Sequence, residues 1–86
     1  GTPDAAIVYR EGDRPHLREP EALLKESTCF IEIPEGINQL KQRDALLGRS
    51  WRETTRSAFL AALEKGFVVQ DFFRSAQSRW FYVLKR

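Results

Sequence analysis

Apolar and polar residues alternate over Cys29 to Ile33, with Cys29, Ile31 and Ile33 on one face and Phe30 and Glu32 on the other, before Pro34 ends the run. That two-residue period predicts a β-strand. Further along the chain the period lengthens. Leu47, Trp51, Ala58 and Ala62 fall within about 60° of one another at about 100° per residue, and Phe59 and Leu63 widen the stripe, which predicts one long helix from about Ala45 to Lys65 with a single buried face. Asp44 is placed to cap its N-terminus by accepting backbone N–H bonds, and Gly66 to end it. Gly48 interrupts this pattern, so it either marks a close approach to another backbone or divides the segment. Phe67 to Phe73 and Trp80 to Leu84 are apolar on both faces, as expected of strands covered on one side and partly on the other. Ser75 to Arg79 form a short polar connection between them, which predicts an antiparallel hairpin.

The N-terminal third is less patterned. Ala5 to Tyr9 is a β-prone run followed by turn residues Glu11-Gly12-Asp13, and His16 to Arg18 can return as a partner strand that Pro15 and Pro20 confine to an edge. Glu21 to Lys25 is either one helical turn or a loop. Ile37 to Gln42 is expected to form a short helix burying Ile37 and Leu40. The organisation expected is an N-terminal extension over residues 1–28, with a short hairpin, and a βαββ domain over residues 29–86. The fold class is α+β: a mixed or antiparallel sheet with one long helix packed on a face.

A chain of 86 residues has room for one core. Six of its ten aromatic residues follow Gly66, so that core is expected to draw mainly on the C-terminal half. The net charge of +2 hides a division. Residues 1–36 hold four Lys/Arg against eight Asp/Glu, and residues 37–86 hold ten against four, which assigns the positive field to the long helix and the last strands. A net charge this small does not imply nucleic acid. Arginines interleaved with exposed aromatics would do so, but Trp51, Phe59 and Trp80 fit a core better. No apolar run approaches the roughly 20 residues of a membrane span, and with neither a signal-peptide core nor a transit composition the expected location is cytoplasmic.

Few residues suggest catalysis. His16 is the only histidine and Cys29 the only cysteine, which excludes an internal disulfide and leaves too few ligands for a metal site. Cys29 is expected to point into the core as a small hydrophobe, and His16 to be a solvated loop residue. The five glycines are scattered singly, so no phosphate-binding loop is present. The basic residues are more suggestive: Arg49, Arg52 and Arg56 recur at three and four residues and line one side of the helix beside Trp51 and Phe59. That geometry could hold a carboxylate or phosphate. The alternative is a solvated helix face with Glu53 as a local partner.

Phe30-Ile31-Glu32-Ile33-Pro34, Gln39-Leu40-Lys41 with Arg43-Asp44, Trp51-Arg52 with Thr55-Arg56 and Phe59, Gly66-Phe67-Val68-Val69 with Asp71-Phe72, and Tyr82-Val83-Leu84 together resemble the C-terminal region of a group of GNAT-superfamily acyltransferases. The likeness covers residues 29–86. It implies a βαββ region packed beside an N-terminal GNAT catalytic domain, with acyl-CoA as co-substrate and N-acylation of amino acids, including N-succinylation, among the activities of relatives. The chain departs from the whole-family pattern in lacking the Gln/Arg-x-x-Gly-x-Gly/Ala loop that binds the CoA pyrophosphate. By itself it is therefore expected to bind no cofactor, to be a C-terminal domain or fragment, and to be inactive alone. On this resemblance Arg52 and Arg56, with Trp51 and Thr55 nearby, would form the acceptor or acyl pocket or the interface to the catalytic half. A non-catalytic binding module that forms a homodimer through an exposed sheet edge is the other expectation.

Overall fold

The computed structural model describes residues 6–18, 27–34, 36–75 and 79–86. The helical turn considered for Glu21 to Lys25 and the burial expected of Ile37 lie outside what is described. Seven elements follow in order: β1 (Ala6–Glu11), β2 (Arg14–Leu17), β3 (Thr28–Ile33), α1 (Ile37–Arg43), α2 (Ala45–Glu64), β4 (Val68–Arg74) and β5 (Trp80–Lys85). The class is α+β. The strands make one mixed sheet in the order β2-β1-β3-β5-β4, in which β1 and β3 run parallel and the other neighbours antiparallel. Within it β3, α2, β4 and β5 form a βαββ unit whose last strand lies between the other two.

The ends of α2 form as its sequence predicts. Asp44 Oδ1 accepts the Leu47 N–H at 3.0 Å, satisfying a donor that the first helical turn cannot pair internally. At the other end the Phe67 N–H bonds the Ala62 carbonyl at 3.1 Å and the Gly66 N–H bonds the Leu63 carbonyl at 3.1 Å. Gly66 has φ +90°, the left-handed conformation that this double closure requires. Gly48 marks a close approach. A Cβ there would lie 2.7 Å from Lys41 Cγ and 3.2 Å from Lys41 Cα, so the missing side chain is what lets α1 lie against α2.

The helix stripe meets the sheet as a core of Ile7, Val8, Cys29, Ile31, Leu40, Trp51, Ala58, Ala62, Phe67 and Leu84. The N-terminal hairpin thus belongs to the same sheet and core as residues 29–86. Ala6, Ile7 and Val8 have no exposed surface, and β1 lies inside the sheet between β2 and β3. The return strand runs over Arg14–Leu17 instead of His16 to Arg18, and Pro15 is accommodated because β2 is an edge.

Three further expectations are corrected. His16 lies in β2, where its ring stacks on Tyr9 at 5.4 Å and its Nε2 is 3.4 Å from Glu11 Oε2, so it is not a loop residue. Leu63 is 51% exposed and does not widen the buried stripe. β4 is the outermost strand, with Val68 49%, Val69 48% and Phe72 40% exposed, because α2 packs over β2, β1 and β3 and leaves the far side of the sheet open.

The second face of the sheet carries Phe30, Phe73 and Phe81, with Phe73 stacked on Phe81 at 5.4 Å and Phe30 edge-on to both. Glu32 is buried on that face at 1% exposure. Its carboxylate accepts from Arg79 Nε at 2.7 Å and Nη2 at 2.5 Å, and from the Arg10 N–H at 2.6 Å. Arg79 Nη2 also donates to the Arg10 carbonyl at 2.9 Å. Burying a carboxylate requires this degree of compensation.

Candidate functional site

The cationic side of α2 forms a surface together with α1 and the end of β3. Arg49, Arg52 and Arg56 project at three- and four-residue intervals and are all exposed. The Gly48 contact brings Lys41 of α1 beside them. The four cations, with Ala45, Gly48 and Glu53, line an open hollow of about 460 Å³. Among the described residues, none of the three arginines forms an ion pair, and Glu53, the local partner that a solvated face would employ, pairs with none of them. The hollow thus holds four positive charges against one negative, in a geometry open to water.

A second hollow of about 460 Å³ adjoins it and is mostly uncharged. It is lined by Ile33, Pro34, Lys41, Trp51, Arg52, Thr55 and Tyr82, so that Lys41 and Arg52 belong to both. Beyond Ile33 and Pro34, a shallower hollow of about 280 Å³ continues to Phe72 and Trp80. The three make a groove that starts among cations and ends among aromatic rings. Its aromatic end is ordered by ring contacts: Phe59 meets Tyr82 edge-on at 5.4 Å, and Phe72 stacks on Trp80 at 5.2 Å.

The residues singled out by the sequence occupy different depths of this groove. Arg52 stands at the junction of the first two hollows, and Arg56 lines only the cationic one. Trp51 is 1% exposed, and its indole N–H donates to the Asp13 carbonyl at 2.9 Å, tying α2 to the β1–β2 turn. It supports the groove floor from beneath and has no donor left for a ligand. Thr55 is half-buried and its hydroxyl donates back to the Trp51 carbonyl at 2.8 Å, leaving its oxygen as an acceptor. Lys41 is the residue that sequence reasoning missed. Its position depends on the α1–α2 approach, and the one available signal was the unexplained glycine in the helix.

Compared with models of protein families, with curated proteins and with solved structures, the chain matches none.

The groove contains neither histidine nor cysteine. Cys29 is buried in the core, and burial pushes its thiol up to about 11, an effect that nearby Arg86 partly offsets. A thiol held protonated in this way is a poor nucleophile. No group of three or more metal-ligating side chains occurs among the described residues, and no described helix is long and apolar enough to cross a membrane. The arrangement can bind an anion and place an attached apolar group beside it.

Proposed function

We propose that this chain is the C-terminal domain of a GNAT-like, acyl-CoA-dependent N-acyltransferase, in which Arg52 and Arg56 bind the carboxylate of the amine acceptor or of the acyl group. The observation that carries this reading is the cationic hollow, where Lys41, Arg49, Arg52 and Arg56 face a single carboxylate and open onto a mostly uncharged hollow. Arginine suits the role because its planar fork matches a carboxylate with two parallel bonds. Trp51 holds the floor rigid, and Thr55 offers an acceptor oxygen at the wall. The βαββ order and the resemblance of residues 29–86 to the acyltransferase group supply the context. In this reading the acyl-CoA site and the chemistry reside in an N-terminal GNAT domain bearing the glycine loop, and the present domain shapes the pocket or the interface.

The test uses the chain itself and succinate as a dicarboxylate probe. Titration followed by amide NMR is expected to shift signals around Lys41, Arg52 and Arg56. Arg52→Gln or Arg56→Gln should weaken binding by about 1.5–3 kcal/mol, the range for a hydrogen bond to a charged group. The melting temperature should hold, since both side chains are exposed. If affinity is the same in wild type and both variants, the arginines are a solvated face and the reading fails. A second reading, a non-catalytic dimerisation module, is favoured by one observation: the exposed outer strand β4.

A further inference from the structure

We infer that β4 is a self-pairing edge, through which two copies of this chain join β4 to β4, antiparallel, about a two-fold axis normal to the sheet. The inference does not rest on the acyltransferase reading. It starts from the edge itself. β4 is seven residues long and, among the described residues, pairs on one side only, with β5, while Val68, Val69 and Phe72 are each between 40% and 49% exposed. An open edge of this length presents backbone donors and acceptors, of which the Phe72 N–H is held by Asp71 Oδ1 at 2.7 Å and must exchange that partner on pairing, and apolar side chains beside it favour a second strand.

The sequence of the strand identifies that strand as a second β4. Val68-Val69-Gln70-Asp71-Phe72-Phe73 reads as two apolar, two polar and two apolar residues in either direction. Residues directly opposite in an antiparallel pair lie on the same face of the sheet. The register shift between Val69 and Asp71 puts Val69 and Phe72 on the α2 side, opposite Leu84 and Tyr82, and Val68 and Phe73 on the other side, opposite Lys85 and Phe81. A two-fold that sets Val69 against Phe72 and Val68 against Phe73 of the second copy therefore matches faces at both apolar pairs, with Gln70 meeting Asp71. Moving the axis by half a residue, onto Asp71, sets two carboxylates against each other and opposes Val69 to Phe73, which lie on different faces. The bulge that would otherwise disfavour edge pairing thus selects one register. In that register Phe72 of each copy lies against Val69 of the other on the α2 side of a continuous sheet.

Strand addition alone buries less than the roughly 1,200–2,000 Å² of stable complexes, so the association expected is weak and concentration-dependent. Sedimentation of the chain over a wide concentration range should show a monomer–dimer equilibrium, and Phe72→Lys should weaken it by about tenfold or more. Register is tested with Val69→Cys and Phe72→Cys made separately. Under mild oxidation a mixture of the two should form disulfide-linked mixed dimers in preference to like dimers, because the new thiols fall opposite each other only in the mixed pair, whereas like pairs are out of register by three residues, about 10 Å. Cys29 is buried and stays out of the reaction. A monomer at the highest concentration reached, or mixed and like dimers in equal yield, would overturn the inference.

Discussion

The two halves of the sheet are built from similar residues but serve different purposes. Over β2, β1 and β3, helix α2 lays Trp51, Ala58 and Ala62 onto Ile7, Val8, Cys29 and Ile31, and all of these are essentially removed from water. Among the described residues no helix lies over β4, and Phe72, Val69 and the rings of Trp80 and Tyr82 are left partly exposed on the same face, although Leu84 of β5 still reaches the core and Tyr82 meets Phe59 of α2. Both halves are rich in large apolar residues, so composition does not distinguish them. What does is where the helix lies. The covered half supplies stability, and the uncovered half, bordered by Arg52 and Lys41, leaves apolar surface open.

The largest expected effect lies under the helix. Trp51→Ala should lower stability by about 3–5 kcal/mol, as truncation of a fully buried aromatic does, and it leaves the Asp13 carbonyl without its donor. Chemical denaturation checks this, and a loss below about 1 kcal/mol would break the contrast between the halves. Next comes an alkaline effect at Cys29. Its thiol ionises near 9.0 when unperturbed and at about 11 in the folded chain, so above pH 9 the unfolded state loses protons that the native state keeps. Stability should therefore be unaffected by this group below pH 9 and fall as pH rises from 9 towards 11, by up to about 2–3 kcal/mol. Cys29→Ala should remove that slope. The smallest effect is expected on the uncovered half: Phe72→Ala, at a position 40% exposed, should cost about 1 kcal/mol or less. Measuring it beside Trp51→Ala in one denaturation series compares the halves directly.

How much of this the sequence revealed depends on how local the cause is. The strand at Cys29 to Ile33, the long helix and both of its caps follow from residues within a turn or two of each other, and all form. The exposure of β4 does not follow. Phe67 to Phe73 is apolar on both faces like Trp80 to Leu84, interrupted only by Gln70 and Asp71, and only the chain path tells that β5 is inserted next to β3 while β4 is left outside. The run from Ala5 to Tyr9 predicts one strand of a short hairpin, which forms, but not that parallel pairing with β3 makes residues 6–8 core. In the candidate site, the arginine spacing was visible on one helix, whereas Lys41 enters through an interhelical approach and Trp51 is withdrawn by a bond to a turn 38 residues away.

The Glu32 carboxylate bears on how the chain assembles. It is bonded across 22 residues to Arg10 and across 47 to Arg79, and Arg79 reaches the Arg10 carbonyl across 69. None of these bonds can form early, because each requires a long loop to close before it contributes anything. The helix and the β4–β5 hairpin need only neighbouring residues and can form while both termini are still unattached. Glu32 therefore acts as a latch, engaging after β1 and β5 have taken their places on either side of β3, so its bonds should hold back unfolding while doing little to speed folding.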